Sequence, residues 1–288
     1  MRTPWYVVVV LGALAGAACN VDLSDRAPAE MTSLSQSKPL GGEKGLDADL
    51  RLGVGALELS ADRNARLYSL DVEYDKNRFQ PEVNYDPSAD SSARLSVRLE
   101  NNSRNSGYRN ETNRIRLGVS ESVPLRLSVK TGVGESRLAL SGLQIARLDF
   151  ETGVGGVKIS AYDANKIDCE RIRMRAGVGA MNAVGLGNLN FRELDFEGGV
   201  GGADLDFTGE WRRDAEIRIQ VGVGGVTVRM PRGIGVAVDT TKHFLSGIHL
   251  DGFERRESRY YSRDYDQSKF RVSFRVATGV GGFRITWV

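Results

Sequence analysis

The chain has 288 residues, a formal net charge of +2, and 26% charged residues of both signs spread along its length. That balance excludes a nucleic-acid surface, which needs basic side chains gathered on one face. With 34 glycines, 7 prolines and two cysteines, the composition keeps backbone N–H groups available for ladders and excludes a disulfide framework.

Residues 1–18 read as a signal peptide. Arg2 is the positive flank, and Trp5–Ala18 is an apolar stretch about as long as a signal h-region and too short to span a bilayer comfortably. The segment ends Ala15-Gly16-Ala17-Ala18-Cys19. Small residues before a cysteine resemble a bacterial lipoprotein signal. The resemblance implies lipid on Cys19, a membrane anchor and an extracytoplasmic location in the cell envelope. The alternative is plain cleavage, with Cys19 a spectator. Residues 19–45, polar and without periodicity, read as a flexible tether, with an end-to-end distance on the order of 30 Å.

Residues 46–125 form a β-rich N-terminal unit. Leu50, Leu52 and Val54 alternate, and then Leu57 and Leu59 take over across Gly53-Val54-Gly55. Strand-like runs come next at 65–74, 82–85, 94–100 and 114–119, joined by Asp/Asn/Ser/Pro loops. The unit is expected to share one corner and to cap the regular array beyond it, because an open sheet end invites aggregation.

Residues 126–288 repeat that corner. Gly-Val-Gly recurs at Gly132–Gly134, Gly153–Gly155, Gly177–Gly179, Gly199–Gly201, Gly222–Gly224 and Gly279–Gly281. The first four steps are 21, 24, 22 and 23 residues, the period of a stacked repeat. Leu148, Phe150, Thr152 and Val154 alternate, and the next apolar pair is Val157 and Ile159. The alternation slips by one residue there. A corner must absorb the slip or every later side chain changes face. The parity puts each valine inward between two outward glycines. Like corners stacked at about 4.8 Å make an all-β fold, a β-solenoid. An antiparallel sandwich is the rival; it is disfavoured because the repeat is one of sequence, not merely of strand length.

The last interval breaks the rule. Gly233–Val238 is repeat-like, and residues 239–269 are an insertion. Within it, 243–253 reads as a lid with Phe244, Leu245, Ile248, Leu250 and Phe253 beneath. The candidate partner-binding residues are Arg255, Arg256, Arg259, Tyr260, Tyr261, Arg263 and Tyr265, since Arg and Tyr are favoured at interfaces; a solvated loop is the alternative.

With its corners aligned, the chain resembles the toast-rack family of bacterial envelope proteins. The likeness runs over roughly 46–288. It is carried by Leu52–Leu59, by Leu138–Leu143 leading into Leu148–Gly155, by Gly222-Val223-Gly224 through Met230-Pro231, by Gly252-Phe253, and by the closing Gly279-Val280-Gly281. The C-terminal domains of Lia-type cell-wall-antibiotic response proteins are similar, as are candidate adhesin heads with Gly-rich repeats. The resemblance implies an envelope protein without catalysis, in some cases tied to stress sensing.

The glycines are not phosphate loops. The third glycine of a dinucleotide fingerprint is Lys158, Asn182, Asp204 or Thr227 here, and no Gly-Lys-Ser/Thr occurs after it. His243 and His249, with Asp251 and Glu254, make a weak metal pattern. Cys169 has no partner base and reads as a small buried residue. No cofactor, catalytic residue or metal is expected. The sequence reading is a non-catalytic binding or scaffold lipoprotein. Its expected partners are the membrane, through the lipid, and a protein or cell-wall glycan; nucleic acid is not one of them. The alternative is a structural, self-assembling adhesin-like protein forming homo-oligomers through solenoid ends, the Phe283–Val288 strand included.

Overall fold

A computed structural model describes residues 29–87, 92–101, 113–241 and 246–288. The signal segment, Cys19, the first part of the tether and His243 lie outside the described residues. In chain order the described strands are β1 (Met31–Pro39), β2 (Gly45–Val54), β3 (Ala56–Asp62), β4 (Arg66–Asp75), β5 (Phe79–Asp86), β6 (Ser92–Asn101), β7 (Arg114–Ser120), β8 (Pro124–Val133), β9 (Ser136–Ala139), β10 (Gln144–Val154), β11 (Val157–Ser160), β12 (Cys169–Val184), β13 (Phe191–Asp206), β14 (Ala215–Met230), β15 (Gly235–Thr241), β16 (Ser246–Leu250), β17 (Phe253–Arg256), β18 (Arg259–Ser262) and β19 (Arg271–Trp287). They form one mostly parallel sheet, folded along the corner line into two legs around a single apolar core. The chain is an all-β, β-solenoid-like rack.

Each rung runs up the first leg, turns, and continues on the second. Rungs stack parallel and in register, Val154 on Val178, Val178 on Val200, Val200 on Val223 and Val223 on Val280. Period and pairing agree because each rung needs the same number of residues to reach its corner. Leu148, Phe150, Ile172, Met174, Leu194 and Phe196 fill the core from the first leg; Val157, Ile159, Met181, Leu205 and Val228 meet them from the second. Aromatic rings run through several rungs, with Phe191 against Trp211 at 5.7 Å and Phe207 against Phe274 at 5.8 Å. Each such buried ring is worth about 1.5–3 kcal/mol from area alone. Buried asparagines tie the return loops: Asn165 donates to the carbonyls of Ile145 and Leu189, and Asn188 to that of Ala161.

The corner valines correct the sequence reading. They point to water, Val133 at 39% exposed and Val200 at 51%, with Val154, Val178, Val223 and Val280 between these values. The bend begins one residue earlier than parity implies. Thr131, Thr152, Val221 and Thr278 are the last inward side chains, and the following Gly-Val-Gly swings outside them. The glycines form two columns because carbonyls of the neighbouring rung lie where a Cβ would stand. A Cβ on Gly132, Gly153, Gly177, Gly199, Gly222 or Gly279 would meet the matching glycine oxygen at 2.3–2.7 Å. On Gly134, Gly155, Gly179, Gly201, Gly224 or Gly281 the approach is 1.7–2.0 Å, at φ between +140° and +148°.

The order of rungs departs from the order of the chain at both ends. β2 lies between β6 and β8, and β3 between β7 and β9. The 46–125 unit therefore supplies rungs of the stack as well as its antiparallel cover, β4 on β7 and β5 on β6. β19 lies between β14 on one side and β15 with β16 on the other. The Phe283–Val288 segment is consequently interior to the stack, not a free end. The reading of 243–253 as a lid is also corrected. Residues 242–245 lie outside the described set, and Ile248 and Leu250 belong to β16, the last strand of the second leg. The tether reading fails from Met31 onward, where β1 pairs antiparallel with β4. Its Ser/Thr/Gln-rich run is a polar edge strand.

Candidate functional site

The first leg carries charge on its outer face, but that charge is paired across rungs. Lys130 meets Glu151 at 3.0 Å, Arg175 meets Glu197 at 2.9 Å, and Arg171 and Arg218 converge on Asp195 at 2.5 and 3.4 Å. Exposed pairs of this kind add little stability each; their effect here is to neutralise the face. Among the described residues no cluster of three His, Cys, Asp or Glu side chains is placed to hold a metal. His249 is exposed on β16, and Asp251 uses its carbonyl to accept the Trp287 indole N–H. Cys169 is fully buried, and burial pushes its thiol up to about 12, so it is protonated and inert at neutral pH.

The arginine–tyrosine run forms a hairpin at the C-terminal end of the first leg. β17 and β18 pair around a turn in which Glu257 takes φ 53°, and β18 adds antiparallel to β15. Ser262 pins the hairpin, its buried hydroxyl accepting the Val236 N–H at 2.9 Å. Tyr260 packs on the core. Tyr261 and Tyr265 meet edge to face at 4.9 Å. The Arg256 guanidinium lies 5.2 Å from the Tyr261 ring centre and pairs with Asp266 at 2.8 Å. Arg271 lies 5.6 Å from the Tyr265 ring and donates to the carbonyls of Tyr265 and Asp266.

Of the seven residues singled out by the sequence, four thus build the knob: Arg256, Tyr260, Tyr261 and Tyr265. The other three face solvent. Arg255 donates only to the Glu257 carbonyl, Arg259 meets exposed Asp239 at 3.6 Å, and Arg263 has no partner among the described residues. Sequence reasoning missed Asp266 and Arg271, which close the stack. The run of alternating Arg and Tyr was the available signal for the cluster, and no local pattern marks these two.

A family model described as the N-terminal domain of toast_rack matches residues 27–184 and 171–229. No curated protein matches the chain. Among solved structures, a candidate cell adhesion protein from Clostridium sporogenes ATCC 15579 is 22% identical with a TM-score of 0.48, over 90% of this chain and 100% of that one. A candidate adhesin from Bacteroides fragilis NCTC 9343 is 13% identical with a TM-score of 0.38, over 88% of this chain and 97% of that one. Among the described residues no helix is long and apolar enough to cross a membrane.

Proposed function

The chain belongs to the toast-rack family, and on that premise we propose a non-catalytic binding and scaffolding protein of the bacterial envelope, anchored through lipid on Cys19. The observation that carries this reading is the placement of its two ends. β1, the first described strand after Cys19, is the outer strand of the second leg at one end of the stack. The hairpin with Arg255, Arg259 and Arg263 lies at the opposite end. Eleven strand steps separate β1 from β18, a span of about 50 Å at normal strand spacing. An anchored rack holds the knob away from the membrane, facing the outer partner.

The self-assembly alternative is disfavoured at the ends of the first leg. β5 carries Pro81 and Glu82, and β17 carries Glu254, Arg255 and Arg256. These are residues that discourage strand addition at an edge.

Two measurements test the proposal. Fatty-acid probe labelling is expected in the native chain and absent from Cys19→Ala; equal labelling refutes the anchor. A triple Arg255→Gln, Arg259→Gln, Arg263→Gln variant is expected to lose retention on isolated envelopes while its melting temperature stays within about 2 °C, as for surface changes. Unchanged retention refutes the role of the knob.

A further inference from the structure

Beside the hairpin, at the open edge of the first leg, is a notch of about 660 Å³. Three successive rungs and the loop after β18 build it. Arg192 comes from the start of β13, Arg213 and Asp214 from the approach to β14, Glu216 from β14 itself, Arg271 from β19, and Tyr265 from the loop. These positions are brought together by the register of Ala215 on Val272 and Glu193 on Glu216.

The arginines are not equivalent. Arg213 is ion-paired with Asp168 and donates to Asn190 Oδ1 at 3.0 Å. It holds the Asp168 carboxyl below its ordinary value and adds no free charge. Arg192 has neither a hydrogen bond nor an ion pair to any described residue. Arg271 spends Nε and one terminal nitrogen on backbone carbonyls, and no carboxylate among the described residues neutralises it. Two guanidinium groups therefore face the notch without a direct ion pair, with Asp168 close enough to Arg192 to feel its charge.

Acceptors stand among them. Asp214 takes the Arg271 backbone N–H through Oδ1 at 2.8 Å, leaving Oδ2. Glu216 faces Arg218 and Arg275 through Oε2, leaving Oε1, and Ser273 adds a hydroxyl on the same wall. DNA brings phosphates but no free hydroxyls along its chain for the two carboxylates to accept. A neutral sugar leaves both guanidinium groups without an anion. An extended peptide has no edge to join, because β13, β14 and β19 are paired on both sides.

A ligand bearing both an anionic group and hydroxyls satisfies every side chain. We infer that the notch binds an acidic polysaccharide. The guanidinium groups of Arg192 and Arg271 grip a carboxylate or phosphate of the polymer, as the Arg fork suits both. Asp214, Glu216 and Ser273 accept its hydroxyls, and the Tyr265 ring borders the sugar. The inference rests on the reading of this chain as an envelope-binding protein and names the partner class for that end of the rack.

The test is calorimetric titration of the purified full chain with galacturonic acid oligomers, with phosphodiester-linked hexose oligomers, and with neutral β-1,4-glucan oligomers. Binding of either acidic oligomer, with none of the neutral one, is expected; which acidic oligomer binds identifies the carboxylate or the phosphate. Arg192→Gln, a change at an exposed and unpartnered side chain, is expected to weaken binding about tenfold with an unchanged melting temperature. Arg255→Gln on the hairpin is expected to leave it unchanged. The inference is overturned if no acidic oligomer binds, if the glucan binds equally well, or if Arg192→Gln has no effect. If it is overturned while the hairpin variant still loses envelope retention, the notch assignment falls and the envelope-binding reading stands.

Discussion

Gly201 and Gly202 are adjacent in sequence, and alanine at the two positions is expected to act in opposite directions. At Gly201 the backbone sits at φ +143°, and an added Cβ would lie 1.8 Å from the Gly179 carbonyl oxygen. Relief requires the rungs to part by more than about 1 Å, since such contacts fall below ordinary packing distances. The φ strain costs about 1–3 kcal/mol, and losing two ladder hydrogen bonds adds about 1 kcal/mol each. Gly201→Ala should therefore destabilise by about 3–5 kcal/mol. At Gly202 the nearest atom to an added Cβ is the Gly225 oxygen, 3.9 Å away, and φ is one that any residue adopts. Gly202→Ala should stabilise by about 0.5–1 kcal/mol, because the unfolded chain loses freedom and the folded chain loses nothing. Urea titration followed by circular dichroism separates the two. Equal midpoints for the variants, or a Gly201→Ala chain as stable as wild type, would refute the stacked-corner argument.

Two further expectations concern titrating groups. Cys169, held at about 12 by burial, should resist alkylation at pH 8 in a Cys19→Ala background and react fully once urea unfolds the chain; rapid labelling of the native protein contradicts its placement. Burial works to raise the Asp62 carboxyl, but hydrogen bonds from Ser69 and the Asn64 N–H, with Arg66 alongside, hold it below its ordinary value. The folded state therefore favours the ionised form. Its contribution is present above the unfolded value of about 3.9 and is lost as pH falls through the lower folded value. The stability gap between wild type and Asp62→Asn should stay constant from about pH 8 to 5 and shrink below about pH 4; a gap that widens in acid contradicts the sign.

The stacking was legible in the residues because the carbonyls of one rung dictate glycine in the next, and that constraint prints the period. Orientation at the corner was not legible. Parity follows a straight strand, and Val154 or Val200 leaves the core because the chain bends before it. The period is equally blind to insertion out of order. Nothing local in β19 says that it enters between β14 and β15, 57 residues after the previous corner. β1 passed for a tether since an edge strand with one solvated face needs little apolar content, and here only Thr32, Leu34 and Lys38 are half-buried. At the knob, the tyrosines and arginines of 255–265 announced a cluster. The notch was invisible, because Arg192 and Arg271 meet only through the register of three rungs.

Disulfide trapping across neighbouring corners reads the stacking most directly. In a Cys19→Ala background, cysteines replacing Val223 and Val280 should cross-link on mild oxidation, because adjacent strands at about 4.8 Å fall within the Cα range of a disulfide. The same is expected for Val178 with Val200, whereas Val178 with Val280, separated by three rung steps, should stay reduced. Cross-linking of the distant pair, or of neither near pair, would contradict an in-register rack with its valines on the outer ridge.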